Sequence, residues 1–148
     1  MGATLVISVI CGKECAVLNI GDSRAYYLNP DALVQITKDQ TEGQRMLDLG
    51  LLTRKELSDF SACKNLNRYI GYSQPGYVLR ADEYYPVLGK GLLLLCSDGI
   101  SDFLDEKRIA EILRSEKNLN HAGKKLVSEA VAADNADNAT AILIPIRR

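Results

Sequence analysis

Apolar residues fall along this chain in short blocks of strand length. Leu5, Ile7 and Val9 interleave with Val6, Ser8 and Ile10, and a second apolar block, 14–20, follows a Gly12-Lys13 turn. Residues 4–10 and 14–20 therefore read as a hairpin whose two faces are both mostly apolar and both covered. Residues 25–28 make a third strand. Asn29-Pro30-Asp31 is a turn with proline preset for the bend, and 33–37 make a fourth strand. The four strands are expected to run as an antiparallel meander. Strand character returns at 77–85 and 92–96, joined by Gly89-Lys90-Gly91 as a hairpin turn, and again at 140–146.

The period changes elsewhere. Between Lys38 and Gly76 two short helical patterns, 42–49 and 54–60, are followed by a polar Gly/Asn/Ser-rich stretch ending in Gln74-Pro75-Gly76. Thr53-Arg54-Lys55-Glu56 has the form of a capping box opening the second of these helices. The segment 38–76 reads as an excursion from the sheet and as the most mobile part of the chain. Residues 106–114, with Asp105 as cap, carry Ile109, Ile112 and Leu113 on one face. Residues 118–133 carry Leu119, Ala122, Leu126, Val127, Ala130 and Val131 on one side. There is no repeat and no low-complexity tract.

At 148 residues the chain is expected to be one domain with a closed core. Lys+Arg 18 against Asp+Glu 19 leaves a formal charge of -1, so no basic footprint points to nucleic acid. No apolar run has membrane-spanning length, and no signal-peptide pattern opens the chain. Cys11, Cys15, Cys63 and Cys96 form no Cys-x-x-Cys pair, and free thiols in a reducing cytoplasm are the expectation, with a Cys11–Cys15 bridge as the alternative. His121 is the single histidine and is expected to face solvent, which argues against a Cys/His zinc site. Gly89-Lys90-Gly91 lacks the frame of a phosphate-binding P-loop. Ser97 beside Asp98 lacks a histidine to activate it as a nucleophile. Arg24 is expected to form a structural ion pair.

The candidate chemistry sits in three acidic turns: Gly21-Asp22-Ser23-Arg24, Ser97-Asp98-Gly99 and Asp137-Asn138. Asp22 and Asp98 each follow an apolar strand-like run, and Asp137 precedes one. Should those runs lie side by side, three carboxylates meet at one sheet edge. Oxygen ligands on stiff supports, with room for water, suit a hard divalent cation. Any one of these turns alone is ordinary, since Gly-Asp and Asp-Gly are common turn dipeptides.

The segments GATLVISVI, VLNIGDSRAYYL, QITKDQT, NRYIG, LLLLCSDGISDFL and DNATAILI resemble, in order and spacing, those of the PP2C family of metal-dependent protein phosphatases. The resemblance runs over nearly the whole chain and is weakest in 38–76. It implies an α+β fold, an antiparallel β-sandwich flanked by helices in an α-β-β-α arrangement. It also implies that Asp98 and Asp137 match ligands of one catalytic metal, Mg or Mn. Asp22 matches a ligand of a third, weaker metal that Asp98 shares, and 38–76 matches the flap beside the active site.

The resemblance further implies that residues 1–148 are the C-terminal portion of such a domain, incomplete at the N-terminus. An Arg-x-x-Asn-x-Asp-like stretch and an Asp-Gly-x-Gly-Gly turn do not occur in this sequence. In the family these supply the phosphate-gripping arginine, the carboxylate bridging two metals and a further ligand. The implied function is metal-dependent hydrolysis of phosphoserine and phosphothreonine in phosphoprotein substrates, with the isolated chain inactive. The alternative is a non-catalytic PP2C-like binding or regulatory module. Open sheet edges lead to the expectation of a homodimer, with no nucleic-acid or membrane partner.

Overall fold

The computed structural model describes residues 2–57, 61–72, 75–133 and 137–147. It holds two antiparallel sheets. The first contains strands β1 (Leu5–Cys11), β2 (Glu14–Ile20) and β5 (Asp82–Tyr84) in the order β1-β2-β5. The second contains β3 (Arg24–Leu28), β4 (Leu33–Gln35), β6 (Gly91–Cys96) and β7 (Ala141–Ile146) in the order β4-β3-β6-β7. Between them in sequence lie the short helices α1 (Glu42–Asp48) and α2 (Arg54–Leu57) and a 3-10 turn at Ser61–Lys64. Helices α3 (Asp98–Ser101), α4 (Glu106–Ser115) and α5 (Leu119–Ala132) lie between β6 and β7 in sequence.

Strand β6 explains the layering. Its four consecutive leucines point alternately to opposite faces, as side chains of a strand must. Leu92 and Leu94 meet Ile109, Ile112, Leu113, Ala122 and Leu126 of α4 and α5. Leu93 and Leu95 meet Val17, Ala25, Tyr27 and Ile146 between the sheets. A strand buried on both faces reads as an unbroken apolar run, and LLLLC is one. Each fully buried aliphatic side chain contributes about 1.5–3 kcal/mol. The helices are placed by their caps. Asp105 accepts from the Arg108 N–H at 2.7 Å, and Asn118 accepts from the N–H groups of Asn120 and His121. The capping box is present too: the Thr53 N–H donates to Glu56 at 2.9 Å and the Glu56 N–H to Thr53 Oγ1 at 3.4 Å. The expected second helix continues to 60, but residues 58–60 lie outside the described residues, as do 73 and 74 in the expected exit of the excursion.

Four expectations need correction. β1 to β4 are not one meander, because β2 and β3 belong to different sheets and the Gly21–Ser23 turn carries the chain from one to the other. Gly89-Lys90-Gly91 is not a hairpin turn, because it passes from β5 in the first sheet to β6 in the second. The expected strand at 77–85 shrinks to Asp82–Tyr84, the three residues that find partners on β2. Finally, both faces of the first hairpin are not covered. Val6 packs inward, while Leu5, Ile7 and Val9 on the opposite face are 38%, 40% and 56% exposed. Helices α4 and α5 cover the outer face of the second sheet, and nothing among the described residues covers the outer face of the first. The alternative Cys11–Cys15 bridge is not formed; all four cysteines are free.

This layering makes a stability prediction. Leu126→Ala, emptying a site with no solvent exposure, should destabilise the chain by about 2–5 kcal/mol. Val9→Thr on the uncovered face should change stability by no more than about 0.5 kcal/mol. Urea unfolding followed by circular dichroism reads both.

Candidate metal centre

The three acidic turns reach the same end of the second sheet through its register. Arg24 pairs with Cys96, and Cys96 pairs with Ala141. Asp22 lies two residues before the first position, Asp98 two residues after the second, and Asp137 four residues before the third. Ser97 ties two of the turns together. Its hydroxyl donates to the Asn138 carbonyl at 3.2 Å and accepts from the Thr140 N–H at 3.0 Å. Gly99 lets the loop come this close, because a Cβ there would stand 2.5 Å from the Asn138 oxygen. Ser97 is thus a structural cross-brace rather than a nucleophile.

Asp98 opens α3 as its first residue, with Ser97 in the N-cap position. One of its carboxylate oxygens accepts from the Gly99 N–H at 2.9 Å. Burial, together with the Asp137 and Asp102 carboxylates, pushes the Asp98 carboxyl above its usual range despite that hydrogen bond. Burial pushes Asp22 up to about 6, with the Asp98 carboxylate the next cause and Asp39 and Asp102 contributing further. Asp98 is therefore the member linked to both others: Asp137 acts on it, and it acts on Asp22. Among the described residues no three side chains of His, Cys, Asp or Glu close into a metal cluster. The donors present are all hard carboxylate oxygens that repel one another, with Asp22 and Asp98 part-buried and Asp137 exposed, and they fit a hard divalent cation in chemistry.

Arg24 has the structural role expected of it. Its Nε donates to both Asp39 oxygens at 2.9 and 3.0 Å, and Nη1 donates to the Tyr26 hydroxyl at 3.0 Å. Burial opposes the charge on Arg24, and Asp39 with Tyr26 more than offsets it, so the guanidinium stays charged. His121 is exposed near the start of α5, away from the three turns in sequence and without a part in their hydrogen bonds.

The sequence reading missed three neighbours. Asp39, Asp102 and Lys64 line a cavity of about 230 Å³ together with Asp22 and Arg24, and Lys64 Nζ donates to Asp102 at 2.8 Å. The four-residue spacing of Asp98 and Asp102 was a legible signal for Asp102, since it places both on one side of a helical turn. Lys64 gave no comparable signal, because it comes from the irregular part of the excursion.

The chain is 29% identical over 144 residues to the serine/threonine phosphatase stp of Listeria innocua, an alignment covering 97% of this chain and 56% of that protein. Its structure superposes on serine/threonine phosphatase Stp1 from Staphylococcus aureus with a TM-score of 0.92 at 28% identity, covering 100% of this chain and 57% of the other. At the level of the family, the chain matches the PP2C-type serine/threonine phosphatases. A further PP2C-type match, the catalytic domain of PstP in complex with 2 manganese ions, has a TM-score of 0.81 at 29% identity and covers 97% of this chain and 58% of that one. No family model matches the chain. It spans little more than half the length of the Listeria phosphatase, and its two layers of sheet with helices on the second sheet are part of the PP2C α-β-β-α arrangement.

The raised Asp22 carboxyl has a consequence for stability in metal-free buffer. The folded chain holds that proton up to about pH 6, whereas an unfolded chain releases it near 3.8. Stability from this group is present below pH 3.8 and is lost as pH rises through 6. Asp22→Asn should therefore stabilise the chain at pH 7.5. Half exposure and solvent screening reduce the gain to on the order of 1 kcal/mol. The gain should vanish at pH 4. Thermal melts in EDTA at the two pH values test the sign.

Proposed function

We propose that the chain is the C-terminal portion of a phosphatase domain that hydrolyses phosphoserine and phosphothreonine in proteins. The observation that carries this reading is the run of three carboxylates, Asp22, Asp98 and Asp137, at one sheet end in a chain of PP2C type. Asp98 and Asp137 would hold one Mg or Mn ion, with Asp22 helping to hold the third, weaker ion, which Asp98 would share. When bound, such ions activate a water and neutralise charge on the transferring phosphoryl group. The chain's own contribution is to bring these carboxylates to one sheet end, with Asp22 and Asp98 part-buried: Ser97 and Gly99 tie the Asp98 turn to the Asp137 turn, and Arg24 with Asp39 stiffens the flank.

Among the described residues, Arg24, the guanidinium beside the Asp22 turn, is committed to Asp39 and is not available to grip phosphate. Positioning and charge stabilisation carry most of the rate in phosphoryl transfer, so the isolated chain should turn over little substrate. No helix among the described residues is long and apolar enough to cross a membrane. Four free thiols fit a reducing compartment, and the cytoplasm is the location we assign. With p-nitrophenyl phosphate and Mn²⁺, we expect negligible turnover by the 148-residue chain. Activity should appear when the upstream segment implied by the family resemblance is supplied, and Asp98→Asn should abolish it. Robust turnover by the chain alone would overturn this reading.

The uncovered face of the first sheet supports a second reading, that of a binding module. Leu5, Ile7 and Val9 form an exposed apolar row on an edge strand free of charge and proline, the kind of edge that natural proteins blunt or cover. A second copy could cover it in a homodimer. Sedimentation of the isolated chain should then show a concentration-dependent dimer that Ile7→Lys shifts to monomer; a clean monomer at high concentration would refute the dimer.

A further inference from the structure

A buried polar network stands behind the Asp22 turn, and Gln40 is its hub. Gly21, immediately before Asp22, has φ +98, a conformation that a glycine adopts freely. Both of its backbone polar groups are bound by Gln40. The Gly21 N–H donates to Gln40 Oε1 at 2.8 Å, and the Gln40 N–H donates to the Gly21 carbonyl at 3.0 Å. Asn19 Nδ2 donates to the same carbonyl at 3.1 Å. The amide end of Gln40 is equally engaged: Nε2 donates to the Asn19 carbonyl at 3.2 Å and to Asp82 on β5 at 2.8 Å. Asp82 in turn accepts from Arg68 at 2.6 Å. The Gln40 carbonyl accepts from the Asn67 N–H at 3.0 Å. Gln40 and Asn19 are 5% and 1% exposed, so the bonds among Gln40, Asn19 and Gly21 are shielded from competition with water, while Asp82 and Arg68 stand nearer the surface.

One residue therefore joins the Asp22 turn and the first sheet through its side chain, and the far limb of the 38–76 excursion through its backbone carbonyl. Gln40 does not itself present a metal-binding carboxylate. It acts on Asp22 through Gly21. A glycine has a wide range of accessible backbone conformations, and fixing both its polar groups removes that freedom at the residue that aims Asp22.

We propose that Gln40 is a positioning residue for Asp22, holding the Gly21 peptide groups so that the carboxylate faces Asp98, and anchoring that turn to Asp82. As a statement about metal binding it rests on the reading of Asp22 and Asp98 as metal ligands; as a statement about the Gly21 turn it stands without a metal. The chemistry of the bridge is directional. Toward Gly21 the side chain must accept, and toward Asp82 it must donate. Gln40→Leu removes both functions. Gln40→Glu keeps the acceptor for Gly21 and sets a carboxylate against both Asp82 and the Asn19 carbonyl. Adding Asp82→Asn restores a donor opposite that carboxylate and removes the charge repulsion, while the bond to the Asn19 carbonyl stays unmade.

Two measurements on the folded 148-residue chain decide the matter: amide exchange of Gly21 in EDTA, and Mn²⁺ affinity by calorimetry. Gln40→Leu and Gln40→Glu should each speed Gly21 exchange and weaken Mn²⁺ binding by about tenfold, the scale of one lost buried hydrogen bond. The Gln40→Glu/Asp82→Asn pair should recover part of both losses relative to Gln40→Glu alone, a recovery that general loosening of the fold would not produce. If Gln40→Leu fails to fold, Gln40→Glu and its double variant decide alone. Unchanged Gly21 exchange in the single variants, or a double variant no better than Gln40→Glu, would overturn the proposal. Asp98→Asn binding Mn²⁺ as tightly as the original chain would instead remove the metal-ligand reading, and Gly21 exchange would still judge Gln40.

Discussion

The register Arg24–Cys96–Ala141 across β3, β6 and β7 is the constraint on which the candidate site depends. Each acidic turn is near the end of one of these strands, so the pairing decides whether the carboxylates share an end of the sheet. Side chains alternate along a strand, and a slip of one residue in β6 would exchange its two leucine pairs between the helix-facing and sheet-facing cores. Both cores are filled, so the register that packs the leucines also brings the acidic turns together. The carboxylates repel one another, and apolar packing elsewhere in the sheet offsets that cost.

A second set of contacts is polar and acts across the layers. The Arg24–Asp39 pair is only 22% and 15% exposed at its side chains, and removing one partner from such a buried pair costs on the order of 3 kcal/mol. It fixes the chain at 39, next to Gln40 and its clamp on Gly21. Thr4 adds a bond from the start of the first sheet, with its hydroxyl 2.8 Å from that of Ser23. The turn carrying Asp22 is thus held from the first sheet, the second sheet and the excursion. The Asp98 and Asp137 turns are braced mainly by each other through Ser97. These two forms of support suit different demands: a short spacing kept by a single serine, and a long reach kept by a network.

The sequence made the helices and β6 legible because their signals are local. Asp105 and Asn118 are capping residues wherever a helix starts, and four leucines between a Lys-Gly turn and Ser-Asp-Gly have few places to go except a doubly covered strand. Assignment of strands to sheets was not legible. Nothing within Tyr77–Tyr85 says that β2 will offer partners to only three residues of that stretch, and the exposure of Leu5 and Ile7 is set by what lies against them rather than by their own pattern. The same division holds at the site. Asp22, Asp98 and Asp137 stand out by their position beside apolar runs, while Asp39 and Lys64 enter through folding of the excursion back onto the sheet. Gln40 carried no charge to attract notice, and its role exists only through bonds to residues distant in the chain.

The free cysteines give this architecture a built-in set of clocks. Cys15 lies between the sheets, Cys96 in the core beneath the helices, Cys63 buried within the excursion, and Cys11 is exposed at the first turn. Burial pushes the Cys96 thiol up to about 12, so in the folded chain it holds almost no reactive thiolate at neutral pH. A thiol reagent will read Cys11 at once and each buried position only as its own layer opens. The order in which the four are consumed is then a direct record of which layer separates first.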